Sequence, residues 1–144
     1  MSDHPTTALA LPKLIAGLRD EDWQERFEAA FNIAQLGNLA KAAVPALTKV
    51  LTDSDMLLRK IASVALGAIG PDASPAVPAL TEILLHDDEP SVRRLAAVAL
   101  GQIGAQEAIP ALELACEEDE DDDVRETAAE ALAEIEALPA RAAA

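Results

Sequence analysis

The chain has 144 residues, and 51% of them are hydrophobic, enough for one packed domain and too many for a wholly disordered protein. Aromatic residues make up only 2% and Tyr is absent, so the apolar content, chiefly Ala, Leu, Ile and Val, favours closely packed helices over strands. Eleven basic residues against 26 acidic ones leave a formal charge of −15, which argues against nucleic acid and anionic membranes as partners through long-range repulsion.

The first stretch, MSDHPTTALALPKL, has neither a basic start nor a sustained apolar run, and the single cysteine cannot close an internal disulfide. No apolar run reaches the about 20 residues that cross a bilayer. A reducing, cytoplasmic setting without a membrane partner is the expectation.

From Leu11 onward the chain repeats. LPKLIAGL, VPALTKVL, VPALTEIL and IPALELAC begin at Leu11, Val44, Val77 and Ile109. Arg26, Arg59, Arg93 and Arg125 then open RFEAAFNIAQLG, RKIASVALGAIG, RRLAAVALGQIG and RETAAEALAEIE. Recurrence at this period is the mark of a stacked repeat protein. The copies span about 9–37, 42–70, 75–104 and 107–137, with a tail at 138–144, and together predict a single domain over 1–144.

Each copy shows helical apolar periodicity twice, with a break between, which predicts an all-α stack of four hairpins and about eight helices. Pro12, Pro45, Pro78 and Pro110 suit the first turn of the first helix, where the missing N–H costs nothing. Leu47, Val50 and Leu51, then Leu80, Ile83 and Leu84, are its expected buried positions. Asp20, Asp53, Asp87 and Asp119 follow in the turn, each six residues before the arginine, with Asp22, Asp55, Glu89 and Asp121 placed to cap the second helix. That helix is expected to bury Ala96, Ala99, Leu100 and Ile103 in the third copy. Gly67 and Gly101 allow helices to approach, and Gly37, Gly70 and Gly104 fall where a left-handed residue ends a helix.

The recurring aspartates and arginines predict a structural ladder of Asp20, Asp53, Asp87 and Asp119 with Arg26, Arg59, Arg93 and Arg125, paired within or between copies. An anion-binding row is the alternative. The acidic run Glu117–Asp123 places Asp119, Asp121, Asp123 and Glu130 at calcium-loop spacing, but Val124 stands where such a loop needs Gly. A capping loop is expected there, and no metal or cofactor. Cys116 aligns with Leu51 and Leu84, which predicts a buried, inert thiol. His4 falls in a terminus expected to fray, and His86 at a helix end beside Asp87. GxxG at Gly67–Gly70 and Gly101–Gly104 sits at helix ends without flanking basic residues, so it is read as structural.

The pattern PAL…D…VR…AA…ALG.IG resembles the HEAT-like repeat first associated with phycobilisome lyase subunits, over residues 9 to 137. The first copy departs from it, with Trp23, Phe27, Phe31 and Asn32 where small or polar residues are usual. The resemblance implies an α-solenoid, an α-α superhelix whose second helices line a concave face. It also implies that residues one, two, five and nine beyond each arginine point into that face. Those positions nominate Phe27, Phe31, Lys60, Ile61, Val64, Arg94, Leu95 and Val98 as protein-binding residues, among which Phe31, Ile61, Val64, Leu95 and Val98 make an apolar stripe that a solvated groove does not need. Burial as core, or closure of a homodimer, are the alternatives for the same residues.

The expected function is a noncatalytic module that binds a protein or peptide. The resemblance also allows a bilin lyase or isomerase subunit, and an engineered scaffold without a native partner is a third reading. Related repeats in a di-iron hydroxylase use His-Glu pairs, and neither His4 nor His86 is followed by Glu, so a metal oxygenase is not expected. With one Cys, no Tyr and two poorly placed His, no enzyme is the expectation.

Overall fold

The computed structural model describes residues 4–139, with side chains from residue 10 onward. Residues 1–3 and 140–144, the latter most of the expected tail, lie outside the described residues, as does the His4 side chain. The α-helices are α1 (His4–Gly17), α2 (Trp23–Leu36), α3 (Val44–Val50), α4 (Met56–Ile69), α5 (Val77–His86), α6 (Pro90–Ile103), α7 (Ile109–Glu118) and α8 (Asp122–Ala137). No strand is found among the described residues.

The helices are not about eight separate elements. Short 3₁₀ segments at Gly37–Ala43 and Gly70–Ala76 join α2 to α3 and α4 to α5, and another at Gln106–Ala108 leads into α7. The described chain therefore divides into six helical stretches, two of them bent at Gly37 and Gly70. The links GNLAKAA and GPDASPA begin at a glycine bend and are rich in small residues, with two prolines in the second; in the first, Ala40 departs from helical dihedrals (φ −101°, ψ 22°).

Three other expectations change. Helix α1 begins at His4, so Pro12 lies inside it and not in its first turn, because the Ala- and Leu-rich run before the proline already forms helix. Pro45, Pro78 and Pro110 do open α3, α5 and α7. Only Gly104 is in the left-handed helical region (φ 74°, ψ 25°); Gly37 and Gly70 combine positive φ with ψ of −134° and −145°, a region open essentially to glycine alone. Cys116 is half-buried, unlike its aligned residues Leu51 and Leu84, which are fully buried.

The second helices α2, α4, α6 and α8 pack side by side along their length, whereas the first helices meet one another mainly through the linking segments. Small residues permit the close inner spacing. A Cβ on Gly67 would stand 3.1 Å from the Ala99 Cα, and one on Gly101 3.1 Å from the Ala131 Cα. Between the two layers lie fully buried side chains such as Leu47, Leu66, Leu80, Leu100 and Leu112. Each contributes roughly 1.5–3 kcal/mol of hydrophobic stabilisation. The expected positions Leu47, Val50, Leu51, Leu80, Leu84, Ala96, Ala99, Leu100 and Ile103 are all buried, and Ile83 is half-buried.

Candidate functional site

The turn between the two helices of each copy is built on one aspartate, which in the last three copies makes a three-way junction. The Oδ1 of Asp20, Asp53, Asp87 and Asp119 accepts from the backbone N–H two residues on, at 2.9, 2.9, 3.0 and 2.9 Å. The same residues' carbonyls accept from the arginine of their own copy, as in Arg59 Nη1 to Asp53 O at 3.0 Å and Arg93 Nη1 to Asp87 O at 2.8 Å.

The carboxylate also meets the arginine of the preceding copy. Arg59 donates through Nε (2.8 Å) and Nη2 (3.2 Å) to Asp87, and Arg93 through Nε (2.9 Å) and Nη2 (3.1 Å) to Asp119. Arg26 stands farther from Asp53, at 3.4 Å, and its Nε is buried without a hydrogen bond. The Asp20 carboxylate forms no ion pair among the described residues, and Arg125 pairs with Asp122 of its own helix. The Arg93 guanidinium is held above its usual pKa by its hydrogen bonds to Asp119, against the opposing effect of burial.

Asp22, Asp55 and Asp121 cap α2, α4 and α8 through hydrogen bonds to Gln24, Leu57 and Val124 N–H. Glu89 makes no such bond, and Pro90 opens α6 instead. Asp119 and Asp121 are thus occupied by the turn and cap, and Glu130 lies within α8. Among the described residues no group of His, Cys, Asp and Glu is arranged to hold a metal ion.

None of the nominated stripe residues falls in the buried class. Phe31 is 46% and Val64 39% exposed, Arg94 is exposed, and Phe27, Lys60, Ile61, Leu95 and Val98 are half-buried. Sequence reasoning left out Trp23, Met56 and Leu57, all exposed at the start of α2 and α4. Trp23, Phe27 and Phe31 line an open depression of about 350 Å³ together with Gln24 and Glu28. The i, i+4, i+8 spacing of those three aromatics was the available signal.

The sequence profile of the HEAT repeats matches residues 11–88 and 77–144. The chain belongs to the HEAT-repeat family. A search of curated proteins returned no match for this HEAT-repeat protein. Among solved structures it is similar to the CpcE–CpcF complex of phycocyanin lyase from Nostoc sp. PCC7120, at 25% identity and a TM-score of 0.69, covering 94% of this chain and 61% of that one. Human deoxyhypusine hydroxylase in complex with glycerol is similar at 30% identity and a TM-score of 0.71, over 92% of this chain and 45% of that one. An engineered protein is similar at 27% identity and a TM-score of 0.69, covering 87% and 62%. This HEAT-repeat chain thus spans less than two thirds of the length of each of these structures. No helix among its described residues is long and apolar enough to cross a membrane.

Proposed function

We propose that this HEAT-repeat protein is a noncatalytic interaction module that takes a protein or peptide on the face formed by α2, α4, α6 and α8. In a curved two-layer stack the more closely spaced layer lies on the inside, so the second helices form the concave side. The observation that carries the reading is the exposure of Phe31 and Val64 in successive copies on that face, where solubility alone favours polar residues. The ladder fixes the turn geometry and stacking, leaving the face free for a partner.

The test compares wild type with Phe31→Glu and Val64→Glu together, by light scattering and by capture of binding partners, with circular dichroism as the folding control. Folded monomers in both cases, with a captured protein lost in the variant, are expected. A wild-type dimer that the variant dissolves assigns the stripe to self-association instead. Retention of every captured partner by the variant overturns the reading.

A second reading rests on the likeness to the phycocyanin lyase complex: a bilin lyase subunit. Bilin transfer to an apo-phycobiliprotein, read as visible absorbance, distinguishes it.

A further inference from the structure

The partner face is sorted by chemistry from one end to the other. Positions three before, one after and five after each repeat arginine lie four residues apart and so share one line along each second helix. On α2 that line is Trp23, Phe27 and Phe31. On α4 it is Met56, Lys60 and Val64, and on α6 Pro90, Arg94 and Val98, each an apolar line with one central cation. On α8 it is Asp122, Glu126 and Glu130, all exposed acids.

Lys60 and Arg94 are the cations on these four lines. Arg26, Arg59, Arg93 and Arg125 at the turns all have a carboxylate within ion-pair range, whereas Lys60 and Arg94, like Lys13, Arg19, Lys41 and Lys49 elsewhere, form no ion pair among the described residues. In a chain with 11 basic residues against 26 acidic ones, these two cations occupy the same position on adjacent second helices, with apolar residues before and after each on its line. Beyond Arg94 the sign reverses: Arg94 lines a depression with Glu89, Asp121 and Asp123, and Asp122, Glu126 and Glu130 follow on α8.

Resting on the reading of the second-helix face as the binding surface, we infer that its partner is an extended, bipolar peptide segment. An apolar anchor fills the depression at Trp23, Phe27 and Phe31. Acidic residues cross Lys60 and Arg94, and a basic residue meets Glu126 and Glu130. Packed helices lie about 8–10 Å apart, and an extended chain advances about 3.3 Å per residue. The acids therefore fall about three and six residues from the anchor, and the base about nine. Opposite charge patterning on the partner sets the register, and a uniformly acidic segment is repelled by α8.

Trp23 is the single tryptophan of the chain, so its emission reports occupancy of the anchor depression directly. The probes are synthetic peptides with Leu as anchor, Asp about three and six residues on, and Lys about nine residues on. They are made in both chain directions, beside a form with Asn and Gln for the charges and a form with the charges exchanged. Binding is followed by Trp23 emission and by anisotropy of a dye on the peptide. The bipolar peptide in one direction is expected to shift Trp23 emission and to bind roughly tenfold more tightly than the neutral form. Lys60→Glu with Arg94→Glu, checked for folding by circular dichroism, is expected to reverse the preference toward the charge-exchanged peptide. Equal binding of the neutral and bipolar forms, unaltered by the double reversal, overturns the bipolar partner while leaving the face as a binding surface. No shift of Trp23 emission with any peptide overturns both.

Discussion

Arg93 grips Asp119 through two parallel N–H donors, Nε at 2.9 Å and Nη2 at 3.1 Å, across the joint between the third and fourth copies. Both side chains are nearly buried, at 7% and 8% exposure. The equivalent joint between the first two copies is looser, with Arg26 Nε 3.4 Å from Asp53 and both side chains more exposed. The same residue pair therefore carries different weight in different copies.

Arg93→Ala is expected to destabilise the protein by about 3 kcal/mol, because it strands the buried Asp119 carboxylate. Arg26→Ala should cost about 1 kcal/mol or less. Urea unfolding of the two variants checks this, and equal losses would count against a graded ladder.

Gly101 sits where a Cβ would meet Ala131 Cβ at 3.0 Å and its Cα at 3.1 Å. Gly101→Val should destabilise by about 2 kcal/mol through overpacking between α6 and α8. Adding Ala131→Gly is expected to restore part of that loss, since the two residues share one contact. Thermal melts of the single and double variants, corrected for Ala131→Gly alone, measure the coupling.

The caps differ in the same testable way. Asp55 accepts from Leu57 N–H at 2.8 Å, whereas Glu89 accepts no capping hydrogen bond. Asp55→Ala should cost about 1 kcal/mol and Glu89→Ala less than about 0.5 kcal/mol. Denaturation midpoints that fall in the opposite order would contradict the capping geometry.

Val64 and Leu66 are two residues apart on α4 yet face different surroundings, the first 39% exposed and the second fully buried. Val64→Glu is expected to leave stability within about 0.5 kcal/mol, whereas Leu66→Glu buries an unpaired charge and should unfold the chain at ambient temperature. Far-UV circular dichroism separates the outcomes; unfolding of Val64→Glu would place the stripe in the core.

The repeat, the helical class, the main buried positions and the capping aspartates Asp22, Asp55 and Asp121 were legible in the sequence because they depend on local spacing. A turn acid six residues before an arginine and an apolar pattern at helical period each need only a few neighbouring residues to take effect. The tertiary structure decided what depends on the stacking of one copy against the next. It directs Arg59 to Asp87 and Arg93 to Asp119, each in the following copy, while the same arginines also bind backbone carbonyls of their own turns. It leaves Cys116 half-buried although its aligned residues Leu51 and Leu84 are buried. It keeps Phe31 and Val64 exposed, whereas sequence periodicity left core and surface both open for them. The angle and spacing between neighbouring hairpins set these three outcomes, and they arise from the fit of whole helix surfaces, which no short stretch of sequence encodes.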